Sequence, residues 1–146
     1  MGNALARTVL RLASPVLIGA GGAAWYVITE QLKAQKIDVH PDSPNLKGRP
    51  VAGPVTAFAQ AAVIEKHALN MGGGRTFAEI SEEWMEATAA GDTERAAELA
   101  GTRETVMQAN FLRASLFTSV LAYGVSALTM GIGVLSWATA SATHRK

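Results

Sequence analysis

Histidine and cysteine, two residue types that often catalyse reactions or bind metals, are scarce or absent in this chain. Its three histidines are His40, His67 and His144, and it has no cysteine, which excludes disulfides, thiolate metal sites and cysteine nucleophiles. Glu65 and His67 are two residues apart, and on one helix side chains at this spacing point to different faces. They cannot act there as an acid–base pair. We therefore predict no catalytic residue, no cofactor and no metal site, and interpret His67 as a polar surface residue.

A glycine-rich run at Gly72, Gly73 and Gly74, followed by Arg75, could present backbone amides and a guanidinium group to a phosphate. It lacks the preceding strand and the Lys-Ser/Thr pair of a phosphate-binding P-loop. Glycine is also the residue that most often ends a helix. We interpret the run as a helix stop.

Two windows without any charged residue indicate the fold class. Residues 12–29 form the first, with 18 residues, and residues 114–141 form the second, with 28 residues. A helix that crosses the hydrocarbon of a bilayer needs roughly 20 predominantly apolar residues. Both windows are therefore predicted to be transmembrane helices, and without charges they offer no intramembrane ion path.

These windows predict an all-α protein: a transmembrane helical hairpin with a helical extracytoplasmic loop region. The predicted segments are a cytoplasmic tail at 1–11, transmembrane helix 1 at 12–32, an extracytoplasmic helical region at 33–110, transmembrane helix 2 at 111–140 and a cytoplasmic tail at 141–146.

The charge distribution suggests an orientation. Lys and Arg residues close to the helix ends are equally numerous on both sides and do not decide it. The loop holds all 12 acidic residues against nine basic ones, whereas the tails hold four basic residues and no acid. We therefore place both termini in the cytoplasm and the loop outside, in a multi-pass membrane protein. With a formal net charge of +1, no nucleic-acid partner is expected.

A cleavable secretory signal over residues 1–24 is the alternative for the first window. Arg7 and Arg11 would form its charged region, and the small residues 21–24 would precede the cut. Trp25 and Tyr26 would then begin the mature chain, where small residues are expected. We favour a transmembrane helix.

Small residues recur at four-residue spacing in both windows, and in lipid such residues allow helices to approach closely. They could pack the two helices of one hairpin or contact another subunit, and we favour the second. The predicted assembly interface consists of Gly19, Ala23, Ala122, Ser126, Ala127 and Gly131 in the membrane, with Phe58 and Trp84 in the loop.

Prolines and glycines divide the loop region. Four prolines predict an extended connector over residues 37–54, namely Pro41, Pro44, Pro50 and Pro54. Within it, we interpret His40, Pro41 and Asp42 as a turn. A helix is predicted from Pro54 to about Asn70. Its expected apolar face is Val55, Phe58, Ala59, Ala62, Ile64 and Leu69.

The next helix is predicted to begin with a capping box of Thr76 and Glu79 and to run to about Ala89. Its expected apolar face is Phe77, Ile80, Trp84 and Met85. Gly91 ends this helix and Asp92 caps the next one. From residue 93 to residue 140 the chain favours helix, with Gly101 as an interruption.

Three segments resemble a family of small two-helix membrane proteins from actinobacteria. They are GPVTAFAQAAVIEKHAL at 53–69, GRTFAEI at 74–80 and NFLRASLFTSVLAYGV at 110–125. The family is commonly labelled aromatic ring-opening dioxygenase. Extradiol ring opening needs a non-haem iron held by two histidines and a carboxylate. Since the three histidines here lie on a connector, a loop helix and a tail, we regard that label as wrong. The resemblance implies a membrane setting, which for a protein similar to this family is a bacterial plasma membrane.

The function expected from these features is that of a non-catalytic subunit or accessory factor of a larger inner-membrane complex, with a respiratory complex as the first candidate. Expected partners are other integral membrane subunits or copies of this chain, and membrane lipids. Two alternatives stay open: a self-assembling homo-oligomeric scaffold, and an extracytoplasmic lipid- or quinone-binding module. The module would bind its ligand between the Phe58/Ile64 helix and the Phe77/Trp84 helix.

Overall fold

The computed structural model describes residues 2–142, and their regular structure is all-helical. The four helices are α1 (Gly2–Ala34), α2 (Pro54–Met71), α3 (Phe77–Ala89) and α4 (Thr93–Ala142). The described residues contain no strand, only an isolated bridge between Asp38 and Pro50. The predicted all-α class is confirmed. His144 and the rest of residues 143–146 lie outside the described residues.

Helices α1 and α4 are long and apolar enough to cross a membrane. Only 11% of the most apolar window of α1 and 17% of that of α4 are buried within the protein, whereas a helix in the core of a soluble protein is mostly buried. α1 begins at Gly2, so residues 2–11, predicted as a tail, are helical. α4 continues through Gly101 without the predicted interruption, because one glycine weakens a helix by only about 1 kcal/mol relative to alanine.

Contacts divide the chain into two compact units. The first consists of the described parts of Met1–Ile37, Ala52–Pro54 and Ser119–Lys146. The second consists of Asp38–Val51 and Val55–Thr118.

In the first unit, two glycines bring α1 and α4 into close contact. A Cβ atom on Gly21 would lie 2.7 Å from the carbonyl oxygen of Ser126. A Cβ atom on Gly133 would lie 3.0 Å from the carbonyl oxygen of Ser14. Contacts this short are tolerated only without a side chain. Later residues of α1 meet earlier residues of α4, so the two segments pack in antiparallel order.

An aromatic pair continues the same contact. The rings of Trp25 and Tyr123 meet edge to face, with centroids 4.6 Å apart. The hydroxyl oxygens of Thr29 and Tyr123 are 2.8 Å apart, and the Thr29 hydroxyl donates to the Trp25 carbonyl at 2.9 Å. Since Tyr123 is only 1% exposed, its hydroxyl needs this partner.

The core of the second unit lies between α3 and the first part of α4. Ile80 and Ala87 of α3 are buried together with Leu99 and Val106 of α4. Phe77, Trp84 and Ala96 pack against them. The predicted apolar face of α3 is confirmed for Phe77, Ile80 and Trp84, and wrong for Met85, which is 57% exposed.

The buried face of α2 differs from the predicted one. Small residues are buried, namely Ala57, Ala61, Val63 and Ala68. Val55, Phe58 and Leu69, which the sequence places on the buried face, are exposed, while Ala59 and Ile64 are half-buried and Ala62 is exposed. Hydrophobicity alone selects the bulky residues, but a neighbour at short distance leaves room only for small ones.

The connector is a closed loop rather than an extended segment. The amide of Val39 donates to the carbonyl of Arg49 at 2.9 Å, and the amide of Gly48 donates to the carbonyl of Val39 at 2.8 Å. Val39 and Val51 are both 1% exposed. Proline biases single residues towards extended geometry, and burial of the two valines outweighs this bias over the whole segment.

The predicted helix boundaries around α3 are confirmed. α2 ends at Met71, and the amide of Gly74 donates to the carbonyl of Leu69 at 2.7 Å. The capping box is complete: the Glu79 amide donates to the Thr76 hydroxyl at 3.3 Å, and the Thr76 amide donates to the Glu79 carboxylate at 2.7 Å.

Candidate functional site

His40, Asp42 and His67 form a compact cluster where the connector meets α2. The Nε2 atom of His67 lies 2.8 Å from Oδ2 of Asp42, and Nδ1 of His40 lies 3.7 Å from the same oxygen. One potential ligand atom from each residue lies within 4.8 Å of the others. The two imidazole rings stand nearly perpendicular, with centroids 4.6 Å apart. Two imidazole nitrogens and one carboxylate oxygen therefore lie close to one another in this cluster.

Backbone hydrogen bonds hold this geometry. The amide of Asp42 donates to Nδ1 of His40 at 3.2 Å, and the amide of Ser43 donates to the carbonyl of His40 at 2.9 Å, which confirms the predicted turn. The amide of His40 donates to the side-chain oxygen of Gln60 at 2.8 Å. Gln60 and His67 are seven residues apart and thus lie on the same face of α2. The same face of α2 therefore binds the start of the turn through Gln60 and carries His67.

The electrostatics of the cluster favour an ionised carboxylate. The hydrogen bond with His67 lowers the pKa of Asp42 below its ordinary value, with smaller contributions from His40 and Lys66 in the same direction. The side chains of His40, Asp42 and His67 are 43%, 51% and 33% exposed, so the donor atoms are accessible from solvent. Imidazole and carboxylate are common ligands of divalent transition metals.

The separation of the histidines along the sequence was the argument against a site of two histidines and a carboxylate, and that argument is wrong for His40 and His67, which the fold brings together with Asp42. His40 and His67 are 27 positions apart, on two separate elements. Only closure of the connector brings the elements together, and that closure was not predicted. The local sequence signal that could have indicated the cluster is the pair of His40 and Asp42, two residues apart in the predicted turn. His144, the third histidine, lies outside the described residues.

Four of the predicted membrane interface residues lie on surfaces that the described helices leave uncovered. Gly19 and Ala23 of α1 are exposed, as are Ala127 and Gly131 of α4. A Cβ atom on Gly19 or Gly131 would meet no atom within 4 Å. These residues are therefore not used to pack α1 on α4, and a contact with another subunit stays a prediction.

The other two membrane residues lie at or beside the contact between α1 and α4. Ser126 is 3% exposed and its carbonyl oxygen faces Gly21, while Ala122 is half-buried. The glycines that permit the close approach are Gly21 and Gly133, neither of which was predicted to serve it. The four-residue periodicity in the sequence does not tell which of several small faces meets the neighbouring helix.

The two predicted loop interface residues have different surroundings. Phe58 is 55% exposed and touches Phe117 edge to face, with centroids 5.7 Å apart. Trp84 packs on the core of the second unit, with the guanidinium of Arg103 4.9 Å from its ring centroid. Phe58 is therefore the more accessible of the two.

A cavity of about 320 Å³ lies between α2 and α3, where the lipid- or quinone-binding alternative places its ligand. Glu65 of α2 and Phe77 of α3 line it, together with Arg75 and Arg113. The other expected lining residues, Phe58, Ile64 and Trp84, do not line it. Phe58 lines a different groove, of about 590 Å³, together with connector residues 42–46. Arg113 forms an ion pair with Glu65 at 2.9 Å, and its Nε atom is buried without a hydrogen-bond partner.

Comparison of the chain with protein-family models, with curated proteins and with solved structures finds no match. The resemblance to two-helix actinobacterial proteins therefore stays a prediction.

Proposed function

We propose that this chain is a non-catalytic integral membrane subunit or accessory factor of a larger assembly in a bacterial plasma membrane. The observation that carries the proposal is the exposure of large apolar side chains along α1 and α4. Leu12, Val16, Leu121, Leu128 and Leu135 are each 64–70% exposed. Fully burying such a side chain is worth about 1.5–3 kcal/mol, so their exposure to water along two whole helices would be costly. A lipid bilayer would cover them.

A transmembrane hairpin is the arrangement that fits these helices best. The antiparallel contact through Gly21 and Gly133 supports it, because two helices that each span the bilayer once in succession must run in opposite directions. The excess of acidic residues in the loop supports cytoplasmic termini and an extracytoplasmic loop.

The uncovered small-residue surfaces support a role in assembly. Gly19 and Ala23, and Ala127 and Gly131, are pairs at four-residue spacing, a pattern typical of helix contacts in lipid. Packing of α1 on α4 uses other residues, so these pairs are available to another membrane helix. A respiratory complex is the partner that we would test first.

A homo-oligomeric scaffold would use the same surfaces. The lipid- or quinone-binding alternative is supported by the cavity between α2 and α3, but less strongly, because Phe77 lines that cavity and Phe58 lines a different groove.

Purification in a mild detergent tests the proposal. The tagged chain is extracted from its native membrane, separated by size and analysed by mass spectrometry. Foreign membrane subunits in fixed proportion to the chain are expected. A complex that contains only this chain would overturn the proposal in favour of the scaffold.

A further inference from the structure

We propose that His40, Asp42 and His67 bind a divalent transition-metal ion of the class that favours imidazole ligands, and that the ion fixes the connector to α2. This inference goes beyond the proposed membrane role and does not depend on it. It assigns a ligand site to the loop region, for which the sequence predicts none.

Two of the three distances between the donor atoms lie near those that such an ion requires, and all three donor atoms lie within 4.8 Å of one another. With Zn²⁺–N bonds of 2.0–2.1 Å and Zn²⁺–O bonds of similar length, tetrahedral ligands lie about 3.3–3.5 Å from one another. The observed separations from Oδ2 of Asp42 are 2.8 Å to His67 and 3.7 Å to His40, on either side of this value. Side-chain rotations that move the donor atoms by roughly 1 Å would bring all the distances to this value.

An ion would use lone pairs that take part in hydrogen bonds in this structure. Nδ1 of His40 accepts the hydrogen bond of the Asp42 amide with its one lone pair, so an ion would bind this nitrogen in place of that hydrogen bond. Nε2 of His67 is directed at the carboxylate. Binding needs this nitrogen unprotonated, which a neutral imidazole achieves by carrying its proton on Nδ1. The carboxylate contributes one negative charge, and the exposed side leaves room for water as a further ligand.

The position of the cluster predicts what the ion would do. His40 and Asp42 belong to the connector and His67 belongs to α2. An ion would therefore join two elements that are held together near this point by the Gln60 hydrogen bond and by the hydrogen bond between His67 and Asp42. Metal binding to the folded protein would then reduce opening of residues 38–51.

A Zn²⁺ titration of the full chain tests the proposal. The protein is purified in detergent without a polyhistidine tag, and binding is measured by competition with a chromophoric chelator. We expect one saturable site per chain. His67→Gln and Asp42→Asn should each weaken binding by at least about 10- to 100-fold, the range known for loss of even an outer-shell partner of a metal ligand.

Two matched variants serve as controls. His144→Gln removes the histidine that is not in the cluster, and Asp38→Asn removes a nearby carboxylate on the same connector. Both should bind Zn²⁺ like the unmodified chain. Circular dichroism verifies that every variant remains helical, and His40→Gln replaces His67→Gln if the latter does not fold.

Hydrogen exchange supplies a second readout. Zn²⁺ should slow amide exchange over residues 38–51 in the unmodified chain and in His144→Gln, and not in His67→Gln. The proposal is wrong if no saturable binding occurs, if the cluster variants bind like the unmodified chain, or if His144→Gln abolishes binding. Any of these results would leave the cluster as a hydrogen-bonded turn on α2.

Discussion

Gly133 of α4 lies so close to Ser14 of α1 that a Cβ atom on the glycine would stand 3.0 Å from the serine carbonyl oxygen, and 2.7 Å from a side-chain carbon of Ile18. Two positions earlier on α4, Gly131 has no neighbour within 4 Å of the equivalent point. Gly133 therefore lies in the contact of α4 with α1, whereas Gly131 lies on a surface of α4 that α1 does not cover.

Gly133→Ala is expected to lower the stability of the first unit. Overpacking of a close contact typically costs about 1–3 kcal/mol. Gly131→Ala is the matched control, because both substitutions raise helix propensity by about 1 kcal/mol and only one creates a clash. The thermal unfolding temperature in detergent should fall for Gly133→Ala relative to Gly131→Ala. Equal temperatures would contradict the close contact.

Gly131→Leu should release the chain from its assembly while leaving it folded. The leucine meets no atom of this chain, but it would stand between two helices that need a close approach. A loss of about 1.4 kcal/mol weakens association roughly tenfold. On a native gel of a mild-detergent extract, the variant should migrate separately from the partner subunits.

Gly101→Leu is the control for that experiment, since Gly101 is also on α4 and also has open space around it, but lies outside the apolar window. It should still migrate with the partners. If Gly131→Leu does so too, the contact is in the loop, and Trp84→Ala becomes the variant to test.

Single cysteines should report the orientation in the membrane, because the natural chain has none. Ser43 would be a poor position, as it is only 5% exposed. Asn45 in the same turn is exposed, and so is Ser141 near the other end of the chain. We expect Asn45→Cys to react with an impermeant thiol reagent in intact cells, and Ser141→Cys to react only after permeabilisation. The reverse pattern would invert the proposed orientation.

Glu79 should make the stability of α3 depend on pH. Hydrogen bonds from the backbone amide and the hydroxyl of Thr76 lower the pKa of its carboxyl group below the ordinary value. Since the folded-state pKa lies below the unfolded-state value, the stabilisation is present above the unfolded-state pKa and disappears as the pH falls through the folded-state pKa. Glu79→Gln should therefore lower the unfolding temperature at neutral pH and have little effect in acid.

Glu82→Gln is the control for the pH experiment, because Glu82 is an exposed residue of the same helix and takes no part in the capping box. Its unfolding temperature should follow that of the unmodified chain at each pH. An equal effect of both substitutions would show that general charge, and not the cap, is responsible.

Local signals were sufficient to predict most of the helices. The capping box of Thr76 and Glu79, the glycines after Met71 and the two uncharged windows act over a few residues, so they can be read without knowledge of the fold. The start of α1 was missed because charged residues such as Arg7 and Arg11 indicate the limit of an apolar window, not the end of a helix.

Features that depend on distant contacts could not be predicted in the same way. Ala57, Ala61 and Ala68 are buried on α2, whereas Phe58 is exposed. Which face of a helix is buried depends on the room that the neighbouring element leaves, and hydrophobicity alone does not report that room. The meeting of His40 with His67 requires the connector to fold back through the hydrogen bonds of Val39 with Arg49 and Gly48. No periodicity in the sequence reports such a closure.

The hydrogen bond between the hydroxyls of Thr29 and Tyr123 has a fixed direction. Thr29 has one hydroxyl hydrogen and donates it to the Trp25 carbonyl, so Tyr123 must be the donor in the bond between the two hydroxyls. Loss of the phenol hydroxyl would leave the threonine hydrogen satisfied, whereas loss of the threonine hydroxyl would leave a buried phenol hydrogen without an acceptor. The two side chains are thus unequal members of the pair, and evolution can exchange tyrosine for phenylalanine here more readily than threonine for valine.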